Sequence, residues 1–121
     1  MTYRELIKRV QHYSGFSDSE SQDALVLFVK KLAARLTPGE RKDFASQLPQ
    51  ELKAVALSNE TSRVKTADSF IQQFCLEEDI DEKRAKKQVM SAWRAIKDAI
   101  SEGEIEDIKA QLPRDLAAQL Y

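Results

Sequence analysis

What this chain lacks narrows it quickly. A single cysteine, Cys75, stands among 121 residues, so no internal disulfide can form and a reducing compartment is expected. Three Gly and three Pro are too few for an all-β protein, which turns about every ten residues. The one histidine, His12, leaves no Ser–His–Asp arrangement and no HExxH helix. With Cys75 as its only companion it cannot furnish a zinc site. No charge excess exists either: 19 Lys and Arg face 20 Asp and Glu, a net charge of −1. Nothing therefore pulls the whole chain toward nucleic acid or anionic lipid. The longest apolar run, Ala24 to Val29, is far short of the ~20 residues that cross a bilayer. Met1 to Glu5 has no signal-peptide character. These absences predict a cytoplasmic protein, not an enzyme, with no cofactor, no metal and no membrane segment.

What is present is 42% apolar and 32% charged residues, the composition of a helical domain with a core. A chain of this length buries roughly two-thirds of its unfolded surface, and one domain over 1–121 is expected.

The chain repeats itself. Shifted by 64 residues, positions 1–57 lie on 65–121 without a gap, with ten of 57 pairs identical, where residue frequencies alone give roughly three or four. Gly39-Glu40 falls on Gly103-Glu104, Asp43 on Asp107, and Gln47-Leu48-Pro49 on Gln111-Leu112-Pro113. Apolar character matches elsewhere, as in Leu25 with Val89 and Val29 with Trp93. The predicted architecture is all-α: two tandem three-helix repeats, 1–57 and 65–121, joined by a linker at 58–64 and packed into one bundle-like globule.

Helix signals recur at matching points. Thr2-x-x-Glu5, Ser17-x-x-Glu20, Thr37-x-x-Glu40 and Ser101-x-x-Glu104 read as capping boxes, in which hydroxyl and carboxylate satisfy the first free N–H groups reciprocally. Asp81 can cap in place of Ser17. The spacing predicts helices over about 3–14 and 66–78, then 18–36 and 82–100, with Ala24–Val29 and Val29/Trp93 buried. Third helices start at Pro38 and Glu102 and stop at Leu48 and Leu112, because a residue before proline leaves the helical region. Pro49 and Pro113 each open a short further helix. Gln47 and Gln111 are expected to satisfy carbonyls freed at these helix ends.

Few residues offer chemistry. His12 falls on the polar side of its helix and pairs with Leu76 in the repeat, which fits a surface histidine better than a base. Cys75 fits a small, half-buried apolar residue better than a redox thiol. Glu77 to Glu82 is acidic but lacks the glycine and final glutamate of an EF-hand loop; a turn with Asp81 and Glu82 at the next helix's positive end is the simpler reading. Glu40 with Asp43, and Glu104 with Asp107, could pair at i,i+3, yet capping accounts for both glutamates. One cluster of cations, Lys83, Arg84, Lys86, Lys87, Arg94 and Lys97, makes a candidate polyanion-binding face. A solvated helix face explains it as well.

The Gln47–Leu52 and Gln111–Leu116 segments, Leu-Thr-Pro-Gly-Glu at 36–40 and Tyr-x-x-Leu-Ile-x-x-Val at 3–10 resemble those of small bacterial all-helical proteins grouped as a domain of unknown function with two related halves. The resemblance implies the fold and a bacterial source and carries over no site residues. The function expected is a non-catalytic module that binds a protein partner or self-associates. The alternative is a nucleic-acid or polyanion binder acting through 83–97, although little nucleic-acid binding is expected from a chain of balanced charge.

Overall fold

The first turns are set by local capping. Thr2 Oγ1 accepts from Glu5 N at 3.1 Å while Glu5 Oε1 accepts from Thr2 N at 3.2 Å. Ser17 and Glu20 repeat this at 3.1 and 3.0 Å. In the computed structural model, which describes residues 1–58 and 67–112 (backbone alone for 67–69), these boxes open α1 (Tyr3–Ser14) and α2 (Asp18–Ala33). The later elements are α3 (Pro38–Ser46), α4 (Gln50–Ala56), α5 (Ala67–Glu78), α6 (Glu82–Ala99) and α7 (Glu102–Gln111). No strand occurs among the described residues. The chain is all-α, and helix bounds follow the sequence expectation to within a few residues. The linker from residue 59 onward and the short helix expected at Pro113 lie outside the described residues.

Helix ends also follow the sequence. Gly15 closes α1 in the left-handed region at φ 77°, a conformation glycine reaches without a Cβ clash. Asp79, 64 residues on, closes α5 at φ 52°, and aspartate is among the few residues that tolerate this region. Asp81 Oδ1 then caps α6 through Arg84 N at 2.8 Å, so the acidic run is a turn and cap, as its sequence suggests.

The core lies where α1, α2, α5 and α6 meet. Helix α6 packs on α1, α2 and α5, and α1 also packs on α2. Helices α3 and α4 pack together, α4 lies against α2, and α3 meets α7. Several apolar pairs 64 apart are buried at both positions: Leu6 and Phe70, Ile7 and Ile71, Val10 and Phe74, Leu25 and Val89, Val29 and Trp93, Phe44 and Ile108, Leu48 and Leu112. Polar ties join α1 to α6, with Arg9 Nη1 and Tyr13 Oη donating to Asp98 Oδ2 at 3.0 and 2.5 Å. Glu20 and Arg84, themselves 64 apart, pair between the starts of α2 and α6.

The helix starts at Thr37 and Ser101 depart from expectation. Their hydroxyls do cap, accepting from Glu40 N at 3.3 Å and Glu104 N at 3.1 Å. The glutamates, however, do not reach back. Thr37 N instead donates to Gln111 Oε1 at 2.9 Å, and Ser101 N to Gln47 Oε1 at 2.8 Å. Each glutamine caps the helix of the other half rather than satisfying carbonyls at its own helix end. Gln47→Ala and Gln111→Ala should each lower stability by about 0.5–1.5 kcal/mol, the net worth of one such bond. Urea denaturation checks this; two variants as stable as the parent would show that the crossed bonds contribute nothing.

Candidate functional site

Three places bring polar chemistry together. The first is the crossing of α3 and α7. Relieved of capping by the glutamines, Glu40 and Glu104 turn toward each other. With Asp107 they place one carboxylate oxygen each within 4.8 Å of the others. Glu104 is 5% exposed, and buried Oε1 atoms of both Glu40 and Glu104 lack a hydrogen-bond partner. The amide Nε2 of Gln111 lies 3.5 Å from Glu40 Oε2. Burial, the contact with Glu40 and the charges of Glu40, Asp43 and Asp107 push the Glu104 carboxyl up to about 8. Sequence spacing exposes only the i,i+3 pairs within each helix; the pairing of Glu40 with Glu104 is made by packing.

The second is a groove of about 500 Å³ between α2 and α5, lined by Gln22, Asp23, Val26, Leu27, Lys30, Glu77 and Glu78. Lys31 Nζ pairs with Glu77 Oε1 at 2.5 Å beside it. Burial and the nearby charges of Asp23 and Glu77 raise the Glu78 carboxyl above its ordinary range. The acidic run at 77–82 was a visible signal for half of this rim. Its partner Asp23, more than fifty positions earlier in the chain, carried none.

The third is the basic face of α6, which the fold divides. Lys83, Arg84 and Lys87 converge around Phe16 and Asp81 in a shallow recess of about 240 Å³. There the Arg84 guanidinium lies 4.2 Å and Lys87 Nζ 5.5 Å from the Phe16 ring centre. Arg94 stands over Tyr13 at 4.2 Å and Lys97 over Trp93 at 5.7 Å. Lys86 pairs with Glu82 at 3.0 Å. Burial, then the charges of Lys109 and Arg94, lower the Lys97 ammonium below its usual value against the pull of Asp98. Five of the six cations are thus engaged by the chain's own rings and acids.

His12 is exposed on α1, its ring 5.5 Å from that of Tyr13. Cys75 is half-buried on α5 against the core. Among the described residues no helix is long and apolar enough to cross a membrane.

The fold and these sites define a class: an all-helical protein whose polar features are a carboxylate cluster, an acidic groove and a self-paired basic helix. The particular family is shown by its match over residues 3–119 to the uncharacterized conserved protein family DUF2267, to which this chain belongs. No curated protein matches it.

Proposed function

We propose that the chain is a non-catalytic helical interaction module that takes a basic amphipathic segment of a protein partner into the groove between α2 and α5. The carrying observation is that groove: Val26 and Leu27 line it with apolar surface and Asp23 and Glu78 with carboxylates, beside Lys30 and the Lys31–Glu77 pair. Its size is that of recognised ligand sites. The Glu78 carboxyl is raised first by burial and then by the charges of Asp23 and Glu77, and a cationic partner would relieve the second. A helix laid in such a groove is held by apolar anchors at helical spacing, while opposite charge sets its orientation and on-rate. The reading includes a duplicated architecture of two three-helix units in one domain, acting in a bacterial cytoplasm. The crossed glutamine caps and the burial of several apolar pairs 64 apart support the duplication. The groove then lies at the seam between the units. A polyanion on α6 is the weaker reading, because most of its cations already face their own rings and carboxylates.

The test titrates a fluorescent basic amphipathic helical peptide, an acidic peptide of the same apolar spacing and a short DNA duplex into the protein. The basic peptide alone should bind, more weakly as salt rises. Asp23→Lys with Glu78→Lys should weaken it by about tenfold or more, roughly 1.4 kcal/mol. Equal binding by that variant, or binding of the duplex in place of the peptide, overturns the proposal. So does a dimer in sedimentation that the same variant dissolves, since a second copy would then occupy the groove.

A further inference from the structure

We propose that Glu40, Glu104 and Asp107, at the crossing of α3 and α7, bind a hard divalent cation of the Ca²⁺ or Mg²⁺ class. The sequence predicts no metal, since His and Cys are too few for zinc and the acidic run lacks an EF-hand pattern, and it gives each glutamate a local task as half of a capping box. Folding removes that task. Gln111 and Gln47 take the N-cap N–H groups of Thr37 and Ser101, and both carboxylates are left facing each other across the two helices.

Two observations point to a ligand rather than a chance meeting of acids. The first is span. Ligand oxygens lie 2.3–2.6 Å from Ca²⁺, so they fit within about 5 Å of one another around a single ion; here one oxygen from each of the three carboxylates falls within 4.8 Å. The second is an orphaned, nearly inaccessible carboxylate. Glu104 is 5% exposed, and its buried Oε1 has no partner, while the buried Oε1 of Glu40 is equally unpartnered. A buried acceptor without a donor costs about 1–3 kcal/mol, and more when charged. Two such oxygens on facing acids need a cation or a shared proton between them. The donor set is all oxygen, without imidazole or thiolate, which selects a hard ion over zinc. Asp43, whose charge also acts on Glu104, adds negative potential without being counted as a ligand.

The cation competes with a proton. A ligating carboxylate is deprotonated, so protons and the ion compete for the same oxygens. The charged groups facing Glu104 are Glu40 and Asp43 on α3 and Asp107 on α7, all acidic, so none stabilises the ionised carboxylate by ion pairing, and a bound cation would.

The experiment measures melting temperature and calorimetric binding for the full chain with CaCl₂, MgCl₂ or MnCl₂ against EDTA, at pH 6 and pH 8. At least one cation at millimolar concentration should raise the melting temperature by several degrees at pH 8. Binding should be weaker at pH 6 than at pH 8, because protons compete for the carboxylate oxygens. Glu104→Gln and Asp107→Asn, each isosteric, should fold and lose the cation-dependent rise. A parent protein with the same melting temperature in all three salts and in EDTA overturns the proposal. So does a rise of equal size in both variants, and a pH-dependent melting temperature with no cation effect would show that the pair shares a proton instead. None of these outcomes depends on the groove between α2 and α5.

Discussion

Trp93→Ala is expected to destabilise the protein by about 3–5 kcal/mol, the usual cost of emptying a large aromatic site in a core. Trp93 is fully buried. Its ring centre lies 6.0 Å from that of Phe28 on α2, which in turn meets Phe70 on α5 edge-on at 6.1 Å. Phe70 continues the cluster to Phe74 at 5.5 Å. The indole therefore belongs to an aromatic cluster that links α2, α5 and α6. Because domains of this size are stable by roughly 5–15 kcal/mol, the variant should unfold at much lower urea, or not fold at physiological temperature. Far-UV circular dichroism during urea titration measures the loss. A change under about 1 kcal/mol would mean that the three helices do not meet on Trp93.

The second large effect is a fall in stability with rising pH, measured in EDTA. The Glu104 carboxyl ordinarily titrates at 4.5 and in the folded chain is pushed up to about 8. Between those values the folded state holds a proton that the unfolded state has released. Stability is therefore greatest below about pH 4.5 as far as this group is concerned, and it is lost progressively as pH rises toward 8, by up to about 1.4 kcal/mol per pH unit. Glu78, raised in the same direction, contributes with the same sign, so the parent curve alone does not isolate Glu104. The difference between the parent and Glu104→Gln does. The amide keeps the shape and removes the ionisation, so the variant should be more stable than the parent at pH 8 and show a flatter slope between pH 5 and 8. Parallel curves for the two proteins would show that Glu104 ionises in the folded chain as it does in water.

Much of the fold was legible along the chain because helix signals are local. Thr2, Ser17 and Asp81 mark starts through residues three positions away, and α1, α2 and α6 begin where these caps place them. Gly15 marks an end through its own backbone freedom. Apolar spacing identified Leu25, Val29, Val89 and Trp93 as interior. The candidate sites were far less legible. The six cations of α6 read as one basic face, whereas packing sets Phe16 and Tyr13 beneath three of them and Glu20 beside Arg84. The groove joins Asp23 to Glu78 from two helices whose sequences do not announce each other.

The sequence by itself determined which segments are helices, where they start and stop, and which faces turn inward, since each of these rests on hydrogen bonds and periodicity within a few residues. Only the tertiary structure decided what Glu40 and Glu104 do. Their capping boxes were complete on local rules, but Gln111 and Gln47 come from the far half of the chain and take the same N–H groups. A donor with one proton to give serves one strong acceptor at a time. Once the distant amide oxygen holds it, the local carboxylate is released, and the crossing of α3 and α7 turns two helix caps into a facing pair of buried acids.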